Sequence, residues 1–518
     1  MNKYRIENDN RKKNTSSKVS GFLQQELAPV IQECITSPAL QRSFPAALPL
    51  ITSVNKAHIL MLMRCGIITG ETARKLAQGV LQIESEGIEG FELDPALEDP
   101  YFNYEAKIIK MVGSETGGQI HTARSRNDLK STMDRLRART LCLRVLEDLF
   151  SLRETMVTCG EQFKDVIMPG YTHLQPAQPI TFGYYLLGVA YAIGRDWQRI
   201  AECYARINMN PLGAGAFAGV TFPIDRQMTA HLLGFDAVTD HSLDAVASRD
   251  YLIELISNCT LLTSNIGRMA QDFYVMTSFE FQTLQLPDSV AITSSIMPQK
   301  KNMTTLEILK GRVAQATGAL VTALAGYKAT PFSHMLDGSQ EGLRWAWDAL
   351  EEIALSLPVA RFIVENAEPR RERMLELVHS NFSTITDLAD ALVNIAGLSF
   401  RESHHVAGRT ARLALDQGLS SNQITAEHVA AASDNILGRK ITLDQAVVED
   451  ILDPAQAVER RAGSGSPAAK DMEMMLSNLK LQLDQDLVFF KQRRNKVTEA
   501  HHQLEMDFAS VAQEKGLS

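Results

Sequence analysis

Four polar segments, each containing glycine or proline, carry residue types that bind carboxylates. The first, GGQIHTARSRND, spans residues 117–128 and holds two arginines separated by one residue. A guanidinium group is planar and binds a carboxylate through two parallel hydrogen bonds. A solvated loop followed by a helix capped by Asn127 or Asp128 explains the same residues. The candidate binding residues of this segment are Thr122, Ser125, Arg126 and Asn127.

The segment SSIMPQKKN, residues 294–302, combines hydroxyl, amide and ammonium groups at a predicted loop-to-helix junction. The first turn of a helix exposes N–H groups and a partial positive charge, so such a junction can bind an anion. The alternative is an ordinary solvated helix start that bears two lysines. The candidate residues are Ser294, Ser295, Met297, Lys300 and Asn302.

A histidine lies between prolines in the segment MPGYTHLQPAQPITF, residues 168–182. The ordinary pKa of imidazole, near 6.5, suits proton exchange at neutral pH. A lone loop histidine is more often structural than catalytic, so both roles stay open on these residues alone. The candidates are Thr172, His173 and Gln175.

Other chemistries find little support in the motifs. The glycine-rich stretch at residues 210–226 resembles a phosphate loop but lacks the pattern GxxxxGK[ST]. The sequence contains no HExxH, no Cys/His cluster and no GxSxG. We therefore predict neither a metal nor another cofactor. Together the polar segments indicate a small-molecule substrate with more than one carboxylate.

Long helical stretches separate these segments and must position them. Of the 518 residues, 45% are hydrophobic and only 7% are aromatic, which favours helices over a sandwich or barrel. Between about residues 125 and 357 the stretches are apolar around much of their circumference, which is typical of a bundle. We predict an all-α fold of three helical domains: residues 1–117 with a disordered polar arm, 118–372 with the long helices, and 373–518 with an extra tail.

Charge and composition exclude several classes of protein. The net charge of −9 argues against a nucleic-acid-binding protein. No apolar run approaches the roughly 20 residues of a membrane span, and the first 18 residues lack the apolar core of a secretory signal. The six cysteines are scattered without CxxC spacing, which indicates reduced thiols. We therefore expect a cytoplasmic protein.

Taken together, the segments resemble the argininosuccinate lyase branch of the fumarase/aspartase superfamily. SSIMPQKKN is close to the superfamily's signature loop, and HTARSRND is similar to HTGRSRND of argininosuccinate lyases. YTHLQPAQP, NPLGAGAFAG and HSLDAVASRDY match in order and spacing, and the resemblance covers about residues 45–475. It implies an anti β-elimination that releases fumarate without a cofactor or metal. It also implies a homotetramer whose active sites combine residues from three chains.

The resemblance assigns roles to individual residues. Ser294 matches the general base, and Lys300 and Asn302 match ligands of the reacting carboxylate. His173 matches a histidine that supports proton transfer, and Glu307 matches its carboxylate partner. Such a site would hold a dianionic intermediate with preorganised donors and cations. The matches to ligands of the fumarate half are Ser125, Arg126, Asn127 and Thr172.

The segment after the fourth long helix departs from the family pattern. Argininosuccinate lyases read approximately YNRDLQEDK there, whereas this chain reads PFSHMLDGSQEG. Phe332, Asp337 and Gln340 thus replace a tyrosine, a glutamine and a lysine that help hold the arginine-derived half. Ala123 and Thr293 each replace a glycine. These changes predict a rebuilt amine pocket, with argininosuccinate or a related aminopolycarboxylate, such as ethylenediamine-N,N′-disuccinate, as substrate.

Two other functions fit parts of the pattern. One is a catalytically silent structural protein, like the lens crystallins of this family, but the residues assigned to catalysis are intact. The other is an adenylosuccinate lyase or fumarase, which is disfavoured because HTARSRND and DLADALV belong to the argininosuccinate branch. The leading hypothesis is a C–N lyase that splits an N-substituted L-aspartate into fumarate and an amine.

Overall fold

The computed structural model describes residues 21–513, and these residues are mostly helical. The all-α prediction is confirmed. The polar arm predicted for residues 1–18 lies outside the described residues. Buried hydrophobic side chains form three large clusters, in the N-terminal region, the long-helix bundle and the C-terminal region. The boundaries of the three domains stay a prediction.

One long helix forms the centre of the N-terminal region. The helices are α1 Pro29–Ile31, α2 Ser37–Arg64, α3 Gly70–Glu86, α4 Pro100–Val112 and α5 Ser114–Gly117. The sequence predicts only short helices here, yet α2 runs through Pro45 and Pro49. An internal proline removes a backbone hydrogen bond, and packing compensates because more than half of α2 is buried.

The same region contains a helix that is long and apolar enough to span a membrane, by length and composition alone. It is Pro29–Arg64, and 72% of its most apolar window is buried inside the protein. The sequence analysis found no such run. Its buried apolar side chains between Phe44 and Leu62 belong to the N-terminal hydrophobic cluster, as expected for a core helix.

Five long helices and two short ones form the central bundle. They are α6 Arg126–Gln162, α7 Phe182–Ile207, α8 Arg226–Leu232, α9 Ser242–Ala247, α10 Asp250–Met276, α11 Thr304–Tyr327 and α12 Arg344–Glu365. Ser125, not Asn127 or Asp128, caps α6. Its Oγ accepts the Asn127 N–H at 3.2 Å, while Asp128 accepts the Ser125 N–H at 3.0 Å. The predicted cap is wrong because Asp128 completes the capping box from the third helical position.

The C-terminal region contains short helices followed by one of 45 residues. They are α13 Arg371–Ser380, α14 Ile385–Ala396, α15 Phe400–Asp416, α16 Ala426–Leu437, α17 Gln445–Leu452, α18 Pro454–Arg460 and α19 Ala469–Gln513. The first half of α19 packs into the bundle core, and Leu504 and Phe508 pack into the N-terminal core. Lys56 of α2, which is buried, pairs with Glu84 at 2.8 Å and with Glu505 of α19 at 2.5 Å.

The short strands of the described residues form four two-stranded sheets. The antiparallel pairs are β1 Ile167–Thr172 with β2 Gln175–Thr181, β5 Leu284–Gln285 with β8 Glu368–Pro369, and β6 Ile292–Thr293 with β7 Lys301–Asn302. The parallel pair is β3 Met209–Asn210 with β4 Ala237–Val238. Two of these pairs, β1–β2 and β6–β7, carry predicted site residues.

Candidate active site

A buried carboxylate, Asp128, joins two of the predicted segments. Its Oδ2 accepts the backbone N–H groups of Gly213 and Gly215 at 2.9 and 3.0 Å, and its Oδ1 accepts those of Ser125 and Leu129 at 3.0 Å. Burial raises the pKa of Asp128 to about 6, and the backbone hydrogen bonds oppose this rise. The two glycines have φ of +89° and +62°, a conformation that suits glycine. The glycine-rich segment therefore forms one wall of the candidate site.

The predicted fumarate-side residues are held against this wall and against the N-terminal region. Asn127 Nδ2 donates to the Ala216 carbonyl at 3.1 Å. Arg126 Nη1 pairs with Glu98 at 3.0 Å and with Asp99 at 2.8 Å. Two carboxylates of the chain thus already neutralise the arginine predicted to bind substrate. Both ion pairs use Nη1, and the guanidinium also lies 4.1 Å over the ring of Phe102.

A histidine of α2 holds the backbone of the segment that precedes Ser125. His58 Nε2 lies 2.9 Å from the Thr122 carbonyl and must donate to it. Burial lowers the pKa of His58 well below 6.5, so the ring is neutral at pH 7. Between these contacts, Ala123 has φ of +59°, the left-handed conformation for which the family's glycine is suited.

The predicted amine segment packs on the end of α11 and beside the start of α6. Asp337–Glu341 form a π-helical turn. A Cβ added to Gly326 would lie 2.8 Å from the Cα of Gly342, so two glycines permit the close approach. Gln340 Oε1 is 3.5 Å from Nζ of Lys130. Phe332 is exposed, as is Asp337.

The signature loop lies at the other end of α11. Ser294 Oγ accepts the backbone N–H of Met297 at 3.1 Å. Lys301 Nζ pairs with Asp288 at 2.7 Å and donates to the Leu286 carbonyl at 2.7 Å, so its charge is already engaged. Lys300 and Ser295 are exposed, and Asn302 is half-buried opposite Ile292 in the β6–β7 pair.

The predicted catalytic histidine lies at the tip of the β1–β2 hairpin. Thr172 pairs with Gln175, and between them His173 and Leu174 have φ of +55° and +57°. His173 is exposed. Glu307 Oε1 accepts a hydrogen bond from the Tyr274 hydroxyl at 2.9 Å, so within one chain its observed partner is this phenol. The pairing of Glu307 with His173 stays a prediction.

The predicted residues thus form two groups at opposite ends of the bundle. We call residues 122–130, 213–216 and 332–341 the Asp128 end, and residues 172–175, 294–302 and Glu307 the Ser294 end. The signature loop precedes α11 and the amine segment follows it. The 24 residues of α11 span about 36 Å at 1.5 Å per residue. One substrate therefore cannot touch both groups of the same chain.

Sequence reasoning missed two polar residues of the Asp128 end. The sequence pattern predicts Asp128 only as a helix cap, although the spacing Ser-x-x-Asp is also typical of a carboxylate that accepts the N–H of the capping residue. No motif includes Lys130, although it lies three residues after Asn127 and therefore on the same helix face. Its contact with Gln340 spans 210 residues, and no local pattern indicates such a contact.

Comparisons with known proteins identify the family of this chain. A family model described as a lyase matches residues 51–318, and a model of the C-terminal region of argininosuccinate lyase matches residues 382–459. Argininosuccinate lyase 1 of Shouchella clausii is 37% identical over 466 residues, which cover 90% of this chain and 94% of the relative.

Solved structures give the same result. The crystal structure of EDDS lyase in complex with formate superimposes with a TM-score of 0.84 at 31% identity, covering 94% of this chain and 97% of the other. Class II fumarase from Schistosoma mansoni has a TM-score of 0.66 at 16% identity, covering 80% and 91%, and shows the shared fold alone. The chain belongs to the argininosuccinate lyase branch of the fumarase/aspartase superfamily and is a fumarate-forming carbon–nitrogen lyase.

Proposed function

We propose that this lyase splits an N-substituted L-aspartate into fumarate and an amine by anti β-elimination. The substrate is argininosuccinate or a related aminopolycarboxylate, in line with the names of the argininosuccinate lyase and EDDS lyase relatives. The reaction uses no cofactor or metal. The chain acts as a cytoplasmic enzyme, not as a silent structural relative.

The environment of Ser294 carries the proposal. A hydroxyl is a poor base unless its alkoxide is stabilised. The Met297 N–H donates to Ser294 Oγ at 3.1 Å and can stabilise negative charge there. Lys301 is paired with Asp288, so Lys300 is the ammonium group of this loop left to balance further charge. These donors make Ser294 a suitable general base.

The reaction follows from these groups. Ser294 Oγ takes a proton from the substrate Cβ, next to a carboxylate that Lys300 and Asn302 hold as it becomes a dianionic aci-carboxylate. The Cα–N bond then breaks, its electron pair leaves with the nitrogen, and the Cα–Cβ double bond of fumarate forms. The departing nitrogen takes up a proton, a transfer that His173 supports. Ser125, Arg126, Asn127 and Thr172 hold the second carboxylate.

A homotetramer completes the site. The two ends of one chain are about 36 Å apart along α11, so the groups must meet between copies. Helix α11 buries only five of its 24 residues, and Ile308 and Val321 are 54% and 59% exposed. A second copy packed along α11 covers this apolar face. Light scattering should therefore give about 230 kDa, four times the chain mass, and an active monomer would contradict the assembly.

Ultraviolet absorbance of fumarate tests the activity directly. We expect fumarate release from argininosuccinate, from ethylenediamine-N,N′-disuccinate or from both, and none from adenylosuccinate. The Ser294→Ala variant is the control for contaminating lyases. Release from adenylosuccinate alone would assign the chain to another branch, and no release from any of the three would refute the proposal.

A further inference from the structure

A lysine at the Asp128 end connects the two halves of the predicted substrate site. Asn127 and Lys130 are three residues apart in α6 and so share one helix face. Lys130 Nζ lies 3.5 Å from Oε1 of Gln340 in the amine segment. An ammonium group thus lies at the junction between the fumarate-side residues and the amine pocket.

The charge of Lys130 is not balanced by its neighbours. Asp134, one turn further along α6, is engaged by Arg249, whose Nε lies 3.0 Å from Asp134 Oδ2. Arg249 is 1% exposed and also donates to Ser131 at 2.9 Å, which fixes it in place. Among residues 21–513, no carboxylate lies within ion-pair distance of Lys130. Asp134 is thus engaged by Arg249, and the ammonium group of Lys130 has no ion-pair partner of its own among these residues.

The turn that contacts Lys130 carries further neutral polar groups. The amide of Gln340 turns its oxygen toward Lys130, which leaves two N–H donors. Ser339, in the same turn, is 5% exposed, and its hydroxyl has no hydrogen-bond partner within the described part of the chain. Burial, helped by Arg249 and Lys130, lowers the pKa of His334 to about 4, so this ring is neutral. The acids of the turn, Asp337 and Glu341, are exposed.

We propose that Lys130 binds a carboxylate carried by the amine half of the substrate, with the Gln340 amide and the Ser339 hydroxyl as further donors. The inference rests on the proposed function and assigns a specificity-determining residue for the amine half of the substrate. Position 340 is a lysine in the family pattern, so here α6 supplies the ammonium group that the amine segment has lost. The substrates are N-substituted L-aspartates whose leaving amine has a carboxylate of its own.

Two pairs of compounds test this specificity. Argininosuccinate is compared with the N-substituted aspartate made from agmatine, which lacks the α-carboxylate of arginine. Ethylenediamine-N,N′-disuccinate is compared with N-(2-aminoethyl)aspartate, which lacks the second succinyl group. In at least one pair, the wild-type enzyme should prefer the carboxylate-bearing member by about tenfold or more in kcat/KM, since a hydrogen bond to a charged group is among the strong ones.

Variants assign the preference to one side chain. Lys130→Met should lower kcat/KM about tenfold for the carboxylate-bearing member and change the other by less than about twofold. Lys130→Arg should retain the preference, and adding Gln340→Lys to Lys130→Met should restore it. Lys164→Met, an exposed lysine beyond the other end of α6, is the matched control and should change neither value.

The outcomes separate this inference from the proposed function. If the wild-type enzyme releases fumarate but shows no preference within either pair, the inference alone is overturned. The same holds if Lys130→Met lowers kcat/KM equally for both members of a pair. If Lys130→Met fails to fold, Lys130→Arg is the variant that tests the inference. If Lys130→Arg no longer prefers the carboxylate-bearing compound, the result contradicts the proposed carboxylate contact. No fumarate release from any of the four compounds would overturn both.

Discussion

The two ends of the long-helix bundle carry similar polar groups but hold them in different ways. At the Asp128 end, Asp128 binds four backbone N–H groups and Arg249 is buried against Asp134, so the polar atoms are fixed before substrate arrives. At the Ser294 end, His173 and Lys300 are exposed on a hairpin tip and a loop. One end is therefore held by contacts within the chain, and the other presents its predicted reactive groups to solvent.

The largest expected effect separates chemistry from structure at the Ser294 end. Ser294→Ala should lower kcat by about 10²–10⁴-fold, the range of general-base contributions, while the melting temperature changes little because Ser294 is only half-buried and its Oγ contacts the backbone of its own loop. Steady-state kinetics and thermal unfolding measure the two quantities. Ser295→Ala is the control, and a larger loss there would move the base to the neighbouring serine.

The Asp128 end should respond in the opposite way, through stability and binding together. Asp128→Ala leaves several backbone N–H groups without an acceptor, and each buried unsatisfied group costs about 1–3 kcal/mol. We expect the free energy of unfolding to fall by about 3 kcal/mol. KM should rise because the glycine-rich segment that contacts Asn127 is no longer held in place. Asp128→Asn, which keeps one acceptor oxygen, should lose less. If Asp128→Ala lowers kcat alone, the two ends do not differ as described.

The pH dependence of stability sharpens the same contrast. The folded-state pKa of Asp128, about 6, lies above the ordinary value of about 3.9. The folded chain therefore binds this proton more tightly, so the group's contribution to stability grows as pH falls from 7 toward 4 and is lost as pH rises through 6. Relative to Asp128→Asn, wild type should gain about 1 kcal/mol between pH 7 and pH 5 in urea unfolding. A constant difference would show that Asp128 does not titrate in this range.

The smallest expected effect concerns backbone strain. Ala123 has φ of +59°, and a left-handed conformation costs an L-residue about 1–2 kcal/mol. Ala123→Gly removes this cost but adds unfolded-state entropy, so the net gain should be about 0.5 kcal/mol. The control is Ala431→Gly on an exposed helix face, which should lose about 1 kcal/mol. Equal losses in thermal unfolding would show that position 123 is not strained.

The sequence allowed the fold and the polar segments to be predicted because both depend on local patterns. Helices α6, α7, α10 and α11 follow long apolar stretches without proline, and each polar segment lies at a break between them. The pattern failed at α2, because Pro45 and Pro49 lie on its exposed face while its other face packs against helices α3, α4, α6, α8 and α19. Local residue preferences carry no information about such packing.

The positions of the site residues relative to one another were not predictable in this way. Nothing local to Asp128 indicates that it binds Gly213 and Gly215, and nothing local to Lys130 indicates its contact with Gln340. The assignment of Arg126 was incomplete because its partners, Glu98 and Asp99, lie in a segment that carried no motif. Contacts of this kind depend on tertiary folding, which brings distant segments together.

Helix α19 packs into two hydrophobic cores, and this affects the order in which the protein can fold during synthesis. Lys56 is buried, and one of its two carboxylate partners, Glu505, lies 449 residues later. At about 5–20 residues per second, a ribosome needs on the order of half a minute to a minute or more to make that partner. Until then the N-terminal core lacks Leu504 and Phe508, and enclosing Lys56 is costly. The N-terminal region thus completes its folding only after α19 is made, so a chain cut short before residue 504 would keep an open core that proteases can attack.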